Sequence, residues 1–274
     1  NNPELIAASS RNIPIIERSE LLGYLTRVFS NCVCISGTHV KTTTTAMITQ
    51  ILLHAKLDPT AVIGGKLDAI GGSGRLGSSQ TMVAEACEFS DTFLHMSPDV
   101  AVVLNIDNDH LDYFSTMENM ILSYRRFIAS GSKCKIYCGD DENVKRAIFG
   151  LKGNFISFGF SKDNDYYPKN IQWNTGMNCN FDLYYRGQLL TPIKLHIPGQ
   201  HNILNAVAAC AASIAAGAQP DAIAGWLDGF RGVHRRFEVL GTVNGIMIAD
   251  DYAHHPTEIK AVLRSAIKDR KSVV

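Results

Sequence analysis

The chain has 274 residues, 46% of them hydrophobic, and its 26 basic and 26 acidic residues cancel to a formal net charge of zero. That length buries a sizeable core in one large domain or two modest ones. No basic run exceeds Arg125-Arg126 or Arg235-Arg236, and no stretch of about 18 apolar residues is uninterrupted, so no nucleic-acid surface and no membrane span is expected.

Residues 1–30 read as the tail of a preceding domain. IAASSRNIPIIE predicts a helix end followed by a strand, and SELLGYLTRVF a helix with Ser19 as its N-cap. The basic-then-apolar order of a signal peptide is absent there. The seven cysteines are scattered without a Cys-x-x-Cys pair, which points to a reducing, cytoplasmic setting.

Residues 31–238 alternate apolar runs with helical segments. CVCI (32–35), MVAEA (82–86) and DVAVVLNI (99–106) are continuous enough to be strands buried on both faces. With helices over 41–57 and 117–129, they predict an α/β fold: a mainly parallel sheet with helices on both faces. GGKLDAIGGSGRLG (64–77) has no periodicity and reads as a loop. The segment 178–197 alternates about a turn near Gly187 and predicts a small antiparallel hairpin. Helices are expected over the Ala-rich 201–218 and over 221–230. Residues 239–274 read as the start of a further unit, with a strand GIMIAD and a helix PTEIKAVLRSAIKDR opened by Pro256.

The chemistry is organised around ISGTHVKTTTT (35–45). Strand, short turn, Lys-Thr and helix is the layout of a phosphate cradle, in which helix N–H groups and the helix dipole face an anion. Lys41 would reach terminal phosphates and the Thr42 hydroxyl would ligate Mg²⁺. The general phosphate-loop pattern wants glycine where this chain has Ile35 and Val40, and a Thr-rich helix start is the plainer alternative. A valine at a left-handed position would be strained, so Val40 is expected to move the loop to negative φ or leave it poorly ordered, with weak ATP binding.

Three more clusters follow strand ends, where open α/β sheets place ligands. Glu85 leaves a buried strand, which suits a cation ligand or a structural ion pair, whereas Glu88 reads as solvated. NIDNDHLDYF brings Asp107, Asp109, His110 and Asp112 together, a donor set for a metal–phosphate site or a set of turn and capping residues. In HNILN, Asn202 and Asn205 share a helix face and can read the edge of a base, though an N-cap would account for Asn202 alone. Downstream come Arg235, Arg236, Asp250, Asp251, Tyr252, His254 and His255. A zinc reading of the His pair lacks further ligands at metal spacing.

GTHVKTTTTAM, EACEFSDTFL, SPDVAVVLNIDNDHLDYF, IPGQHNILNAVAA, GVHRRFEVLG and DDYAHHPTEI occur in the order and spacing of the Mur ligases, and the chain resembles that family over essentially its whole length. The resemblance is nearest to the branch that adds alanine. It implies the tail of a UDP-substrate-binding domain (1–30), a central ATP-binding domain (31–238) and the start of a Rossmann-like C-terminal domain (239–274). It also implies ATP-dependent ligation of L-alanine to UDP-N-acetylmuramate through an acyl phosphate, with ATP and Mg²⁺ required. The turn Gly37-Thr38-His39 with Lys41, Thr42 and Thr43 would hold the phosphates, Lys41 on the β and γ groups. Thr42 would ligate one Mg²⁺, and Glu85 and His110 a second. Asn202 and Asn205 would lie at the adenine, Arg236 at the phosphates and Asp251 at the ribose. Tyr252, His254 and His255 would face the muramate and amino-acid side. Alternatives of the same stretch are a ligase that recycles a muropeptide, and a nucleotide-binding module that Val40 leaves inactive.

Overall fold

The computed structural model describes residues 2–174, 178–225 and 227–269. Two helices lead in, α1 (Pro3–Ser10) and α2 (Arg18–Val28). The expected strand at Ile13–Glu17 is absent: Ile13, Ile15 and Ile16 are exposed and pair with no other strand. A β-rich pentapeptide is not a strand without a partner, and both edges of the next strand are occupied. Ser19 is not the N-cap of α2 either. Glu17 takes that place in a capping box with Glu20, whose carboxylate accepts the Glu17 N–H at 2.8 Å.

The body alternates as expected. In chain order it runs β1 (Asn31–Ser36), α3 (Lys41–His54), β2 (Thr60–Leu67), β3 (Gly72–Arg75), β4 (Thr81–Glu85) and β5 (Val100–Val103). It continues through α4 (Leu111–Phe114), α5 (Met117–Ala129), β6 (Cys134–Cys138), α6 (Glu142–Ile148), β7 (Phe155–Phe158) and β8 (Tyr166–Trp173). Then come β9 (Cys179–Tyr185), β10 (Gln188–Leu195), α7 (Gln200–Ala215) and α8 (Pro220–Ala224). Ten strands form one sheet in the order β10-β9-β8-β7-β6-β5-β1-β4-β2-β3, parallel from β2 through β8 and antiparallel at the two edges. A separate hairpin of β11 (Glu238–Val243) and β12 (Ile246–Asp250) precedes α9 (Pro256–Asp269).

The Gly-rich segment 64–77 is not a loop. β2 and β3 pair antiparallel across it as the sheet edge, a backbone pairing that glycine-rich sequence carries no side-chain alternation to announce. The 178–197 hairpin is present, closed by Arg186 (φ 47°) and Gly187 (φ 85°), the two positive φ values that a tight two-residue turn needs. The helix expected over 221–230 is split into α8 and a 3₁₀ turn at Leu227–Gly229; Trp226 and Arg270, from two of the expected helices, lie outside the described residues. No helix among the described residues is long and apolar enough to cross a membrane.

Two cores sandwich the sheet. Helices α3 and α7 cover one face, packing Met47, Ile51 and the alanines of α7 onto strand residues such as Ile35; α5 covers the other with Met120, Tyr124 and Phe127. Helix α3 buries threonines at no hydrogen-bond deficit because Thr44, Thr45 and Thr49 each donate to the carbonyl four residues back, at 3.1, 2.8 and 2.9 Å. In-register pairing of Ile35 with Glu85 on one side and Val102 on the other aligns three strand ends at the place where the chain switches direction across the sheet. Such a switch point opens a crevice beyond the strands.

Candidate active site

The turn after β1 is pressed against the segment that leaves β5. Ideal Cβ placement on Gly37 would lie 2.9 Å from Leu104 Cβ and 3.2 Å from the Asn105 nitrogen, so a side chain does not fit there. Asn105 stitches the two segments together. Its carbonyl accepts the Thr38 N–H (3.2 Å), its Oδ1 accepts the His39 N–H (2.8 Å), and its Nδ2 donates to the His39 carbonyl (3.2 Å). β5 therefore ends at Val103 rather than at residue 106: Leu104 still donates to the Ser36 carbonyl (2.9 Å), but Asn105 turns to the loop and the Ile106 N–H goes to the Asp141 carboxylate (3.3 Å).

Val40 caps α3 at φ 62° and ψ 12°. This overturns the expectation that valine would push the turn to negative φ or disorder it. The stitching to Asn105 and the start of α3 fix the left-handed conformation whatever residue occupies it, at a cost of about 1–3 kcal/mol. The first N–H groups of α3, at Lys41, Thr42 and Thr43, consequently stand at the helix N-terminus without an intrahelical acceptor, the arrangement that binds anions.

Lys41 is held from three sides. Its Nζ donates to the carbonyls of Gly37 (2.6 Å) and Thr38 (3.2 Å) and to Glu88 Oε1 (2.9 Å); Glu88 Oε2 is 2.7 Å away in ionic contact, off the hydrogen-bonding angle. The expectation that Glu88 is solvated fails, since its side chain is 1% exposed against 13% for Lys41. The short turn after β4 carries Glu88 under the loop, and a buried carboxylate needs such a partner. Thr42 donates to Glu85 Oε1 (3.1 Å), and Glu85 Oε2 accepts the Gly64 N–H from β2 (2.7 Å). His110 does not join this group by any hydrogen bond or ion pair among the described residues. It caps α4 at φ 53°, with its ring 5.0 Å from that of Phe89 and 3.8 Å from the Asp109 carboxylate.

A cavity of about 610 Å³ opens beside the turn, lined by His39, Val40, Thr43 and Asn105, by Asn202 and Asn205, and by residues 140–143, which lead from β6 into α6. Gly199, not Asn202, caps α7. Asn202 Nδ2 donates to the Pro198 carbonyl (2.6 Å), and Asn205 Nδ2 to Asn202 Oδ1 (2.9 Å), so the shared face is real and both amides are buried. His201 lines the same cavity, where burial lowers its pKa and keeps the imidazole neutral. Arg236 and Asp251 also line it; Asp251 accepts the N–H groups of Phe237 and Ala253, both at 2.7 Å.

The start of α9 closes one wall. His39 bonds Glu258 through Nδ1 (3.2 Å) and Asp107 through Nε2 (2.9 Å), while Thr257 donates to Asp107 (2.9 Å). Burial alone lowers the His39 pKa, but bonds and charges from Glu258 and Asp107 outweigh it and the net shift is upward. Burial likewise works to raise Glu258, yet His39, Arg236 and the His254 N–H bring it down to about 2. The remaining residues of the segment lie outside the cavity lining. Tyr252 is exposed, with Arg235 and Arg236 over its ring at 4.9 and 5.5 Å, and His254 is exposed beside it.

The model of the Mur ligase middle domain matches residues 35–213, and that of the Mur ligase glutamate ligase domain matches residues 235–274. The chain belongs to the Mur ligase family. It is 42% identical over 268 residues to a UDP-N-acetylmuramate–L-alanine ligase of Caldanaerobacter subterraneus subsp. tengcongensis, covering 97% of this chain and 58% of that one. It is similar to the solved UDP-N-acetylmuramate–alanine ligase of Thermotoga maritima, with a TM-score of 0.86 and 28% identity over 99% of this chain and 62% of that one. A MurF ligase from Thermotoga maritima, solved in complex with ADP, shares the fold at a TM-score of 0.74 and 20% identity, over 92% of this chain and 62% of that one. The chain thus spans about three fifths of the length of these relatives.

Several residues of this Mur ligase site escaped sequence reasoning. Asn105 is a polar residue at the end of an apolar run, a signal of the kind that singled out Glu85. Glu258, third in PTEI, and the Asp140-Asp141 pair after CKIYC carry the same mark, an acid beside a helix start or a strand end. Gly64 left no signal, because its backbone N–H is what serves.

Proposed function

We propose that this chain forms the ATP-handling core of a ligase that joins L-alanine to UDP-N-acetylmuramate. The observation that carries the reading is the left-handed turn that opens α3. It sets Lys41 and the Thr42–Glu85 pair next to Val40 and Thr43, which line a cavity that the linked amides of Asn202 and Asn205 also line. The names of the relatives support the substrates. On this reading residues 1–30, 31–238 and 239–274 are parts of three domains, and the protein works in the cytoplasm, in keeping with cysteines scattered without a Cys-x-x-Cys pair.

Phosphate would bind at the N–H groups of α3, with Lys41 and Arg236 offsetting charge on the γ-phosphoryl oxygens. The muramate carboxylate attacks the γ-phosphorus, the bond to ADP breaks, and an acyl phosphate results. The alanine amine then attacks the acyl carbon, loses a proton to solvent, and expels inorganic phosphate. Positioning and charge neutralisation would supply most of the rate. Thr42 and Glu85 present adjacent oxygen donors that fit Mg²⁺, and His110 is the proposed second partner of Glu85. When bound, Mg²⁺ would offset phosphate charge there. Asp251 would meet the ribose, and Tyr252, His254 and His255 the muramate and alanine side.

Phosphate release from ATP and Mg²⁺ with UDP-N-acetylmuramate, run on the protein that carries this chain, tests the reading. Turnover that requires L-alanine supports it. Turnover with a tripeptide alone identifies a muropeptide-recycling ligase instead, and ATP binding without turnover identifies a nucleotide-binding module.

A further inference from the structure

We infer that His39, Asp107 and His255 form a binding site for a transition-metal dication of the zinc class, separate from the Thr42–Glu85 pair. The sequence offered His254-His255 no partner ligands at metal spacing; the fold supplies them from 148 and 216 positions away. Each of the three residues presents one donor atom, all within 4.8 Å of one another. His39 Nε2 and Asp107 Oδ2 are already 2.9 Å apart, and the rings of His39 and His255 lie 4.9 Å apart. Tetrahedral coordination at ordinary zinc bond lengths puts donors about 3.3 Å apart, so side-chain rotation without backbone movement closes the set.

The surroundings are those of a ligand set rather than of a chance cluster. A ligating imidazole ordinarily gives its other nitrogen to a carboxylate or carbonyl, which fixes the lone pair on the metal side. His39 does so through Nδ1 to Glu258 (3.2 Å), and His255 through Nε2 to the Asn108 carbonyl (3.0 Å). The remaining His255 nitrogen, Nδ1, meets the Thr257 N–H at a long 3.3 Å. Asp107 is steadied by the Thr257 hydroxyl at 2.9 Å. Two imidazoles and one carboxylate favour Zn²⁺, Co²⁺ or Ni²⁺ over oxygen-seeking Mg²⁺.

Two of the donors, His39 and Asp107, line the cavity, and His255 stands just before the start of α9 that closes one wall of it. His39 belongs to the phosphate turn and Asp107 to the segment after β5, whereas His255 precedes α9. Occupancy would pin α9 to the phosphate turn and slow nucleotide entry and exit, a control separate from the chemistry of the γ-phosphate.

Co²⁺ is the probe, titrated into the chelator-treated chain and followed by its visible d–d absorption. One equivalent should give the bands of a nitrogen-containing site, and excess Mg²⁺ should leave them in place. His255→Ala and His39→Ala should each weaken Co²⁺ binding by tenfold or more, and Glu258→Gln by about tenfold. His255→Gln repeats the test should the alanine variant lose its far-UV spectrum. Absence of bands, bands unchanged in a folded His255 variant, or bands lost in His110→Ala instead would each overturn the site.

Discussion

Val40→Gly isolates whether a β-branched side chain at the mouth of the phosphate cradle obstructs ATP. Valine sits at φ 62° and ψ 12°, a conformation that costs about 1–3 kcal/mol. That strain is present with or without ligand, because Asn105 and α3 already hold the turn, so it cancels from the affinity. In folding it does not cancel, but its relief is offset by lost packing of the half-buried valine, about 1–2 kcal/mol, and by about 0.5–1 kcal/mol of glycine backbone entropy. The urea midpoint should therefore barely move. Affinity responds to a different term. The valine side chain lines the cavity beside the helix N-terminus, and seating a phosphate against it resembles overpacking, about 1–3 kcal/mol. That is about 5- to 150-fold in Kd. Calorimetric titration with ATP should show Val40→Gly binding at least fivefold tighter at equal stability. An unchanged Kd in a folded variant would refute the obstruction, and a large rise in stability would refute the offset of strain relief by lost packing and glycine entropy.

Three further substitutions probe the site. Glu85→Gln keeps an acceptor for the Gly64 N–H and removes the charge, so stability should change by less than about 1 kcal/mol while turnover falls at least about 100-fold. Phosphate release and urea unfolding measured on one preparation separate the two. Glu88→Gln strips the counter-charge from a nearly buried ammonium, and should cost about 3 kcal/mol in urea unfolding, the low end for a broken buried pair because two carbonyls still accept from Lys41. Equal stability of the two proteins would mean that the ion pair is not formed in solution. Asn205→Ala leaves Asn202 Oδ1 without its donor and should destabilise by about 1–3 kcal/mol. It should also narrow the preference for ATP over GTP in competition binding, and an unaltered preference would move base recognition elsewhere.

What sequence reading reaches here follows the range of the interactions involved. α5 occupies the expected 117–129, and the 178–197 hairpin turns at Arg186-Gly187, because a helix stripe and a two-residue turn are written within a few neighbouring residues. Apolar runs gave β1, β4 and the start of β5 for the same reason. The edge pairing of β2 with β3 is a backbone interaction, so a glycine-rich string concealed it. Glu88 follows an exposed cysteine and looks solvated until the turn after β4 folds it beneath Lys41, 47 positions earlier. Val40 shows the converse limit. Local preference correctly rates its conformation unfavourable, but a residue 65 positions away, Asn105, and the start of α3 determine it, and about 1–3 kcal/mol is small against the packing that holds them. His39 extends the point furthest, with partners 68 and 219 positions away. Each residue of that group has a plain local role, as turn former, helix cap or surface polar group. Only the convergence of two strand ends, those of β1 and β5, with the start of α9 turns those roles into one cluster.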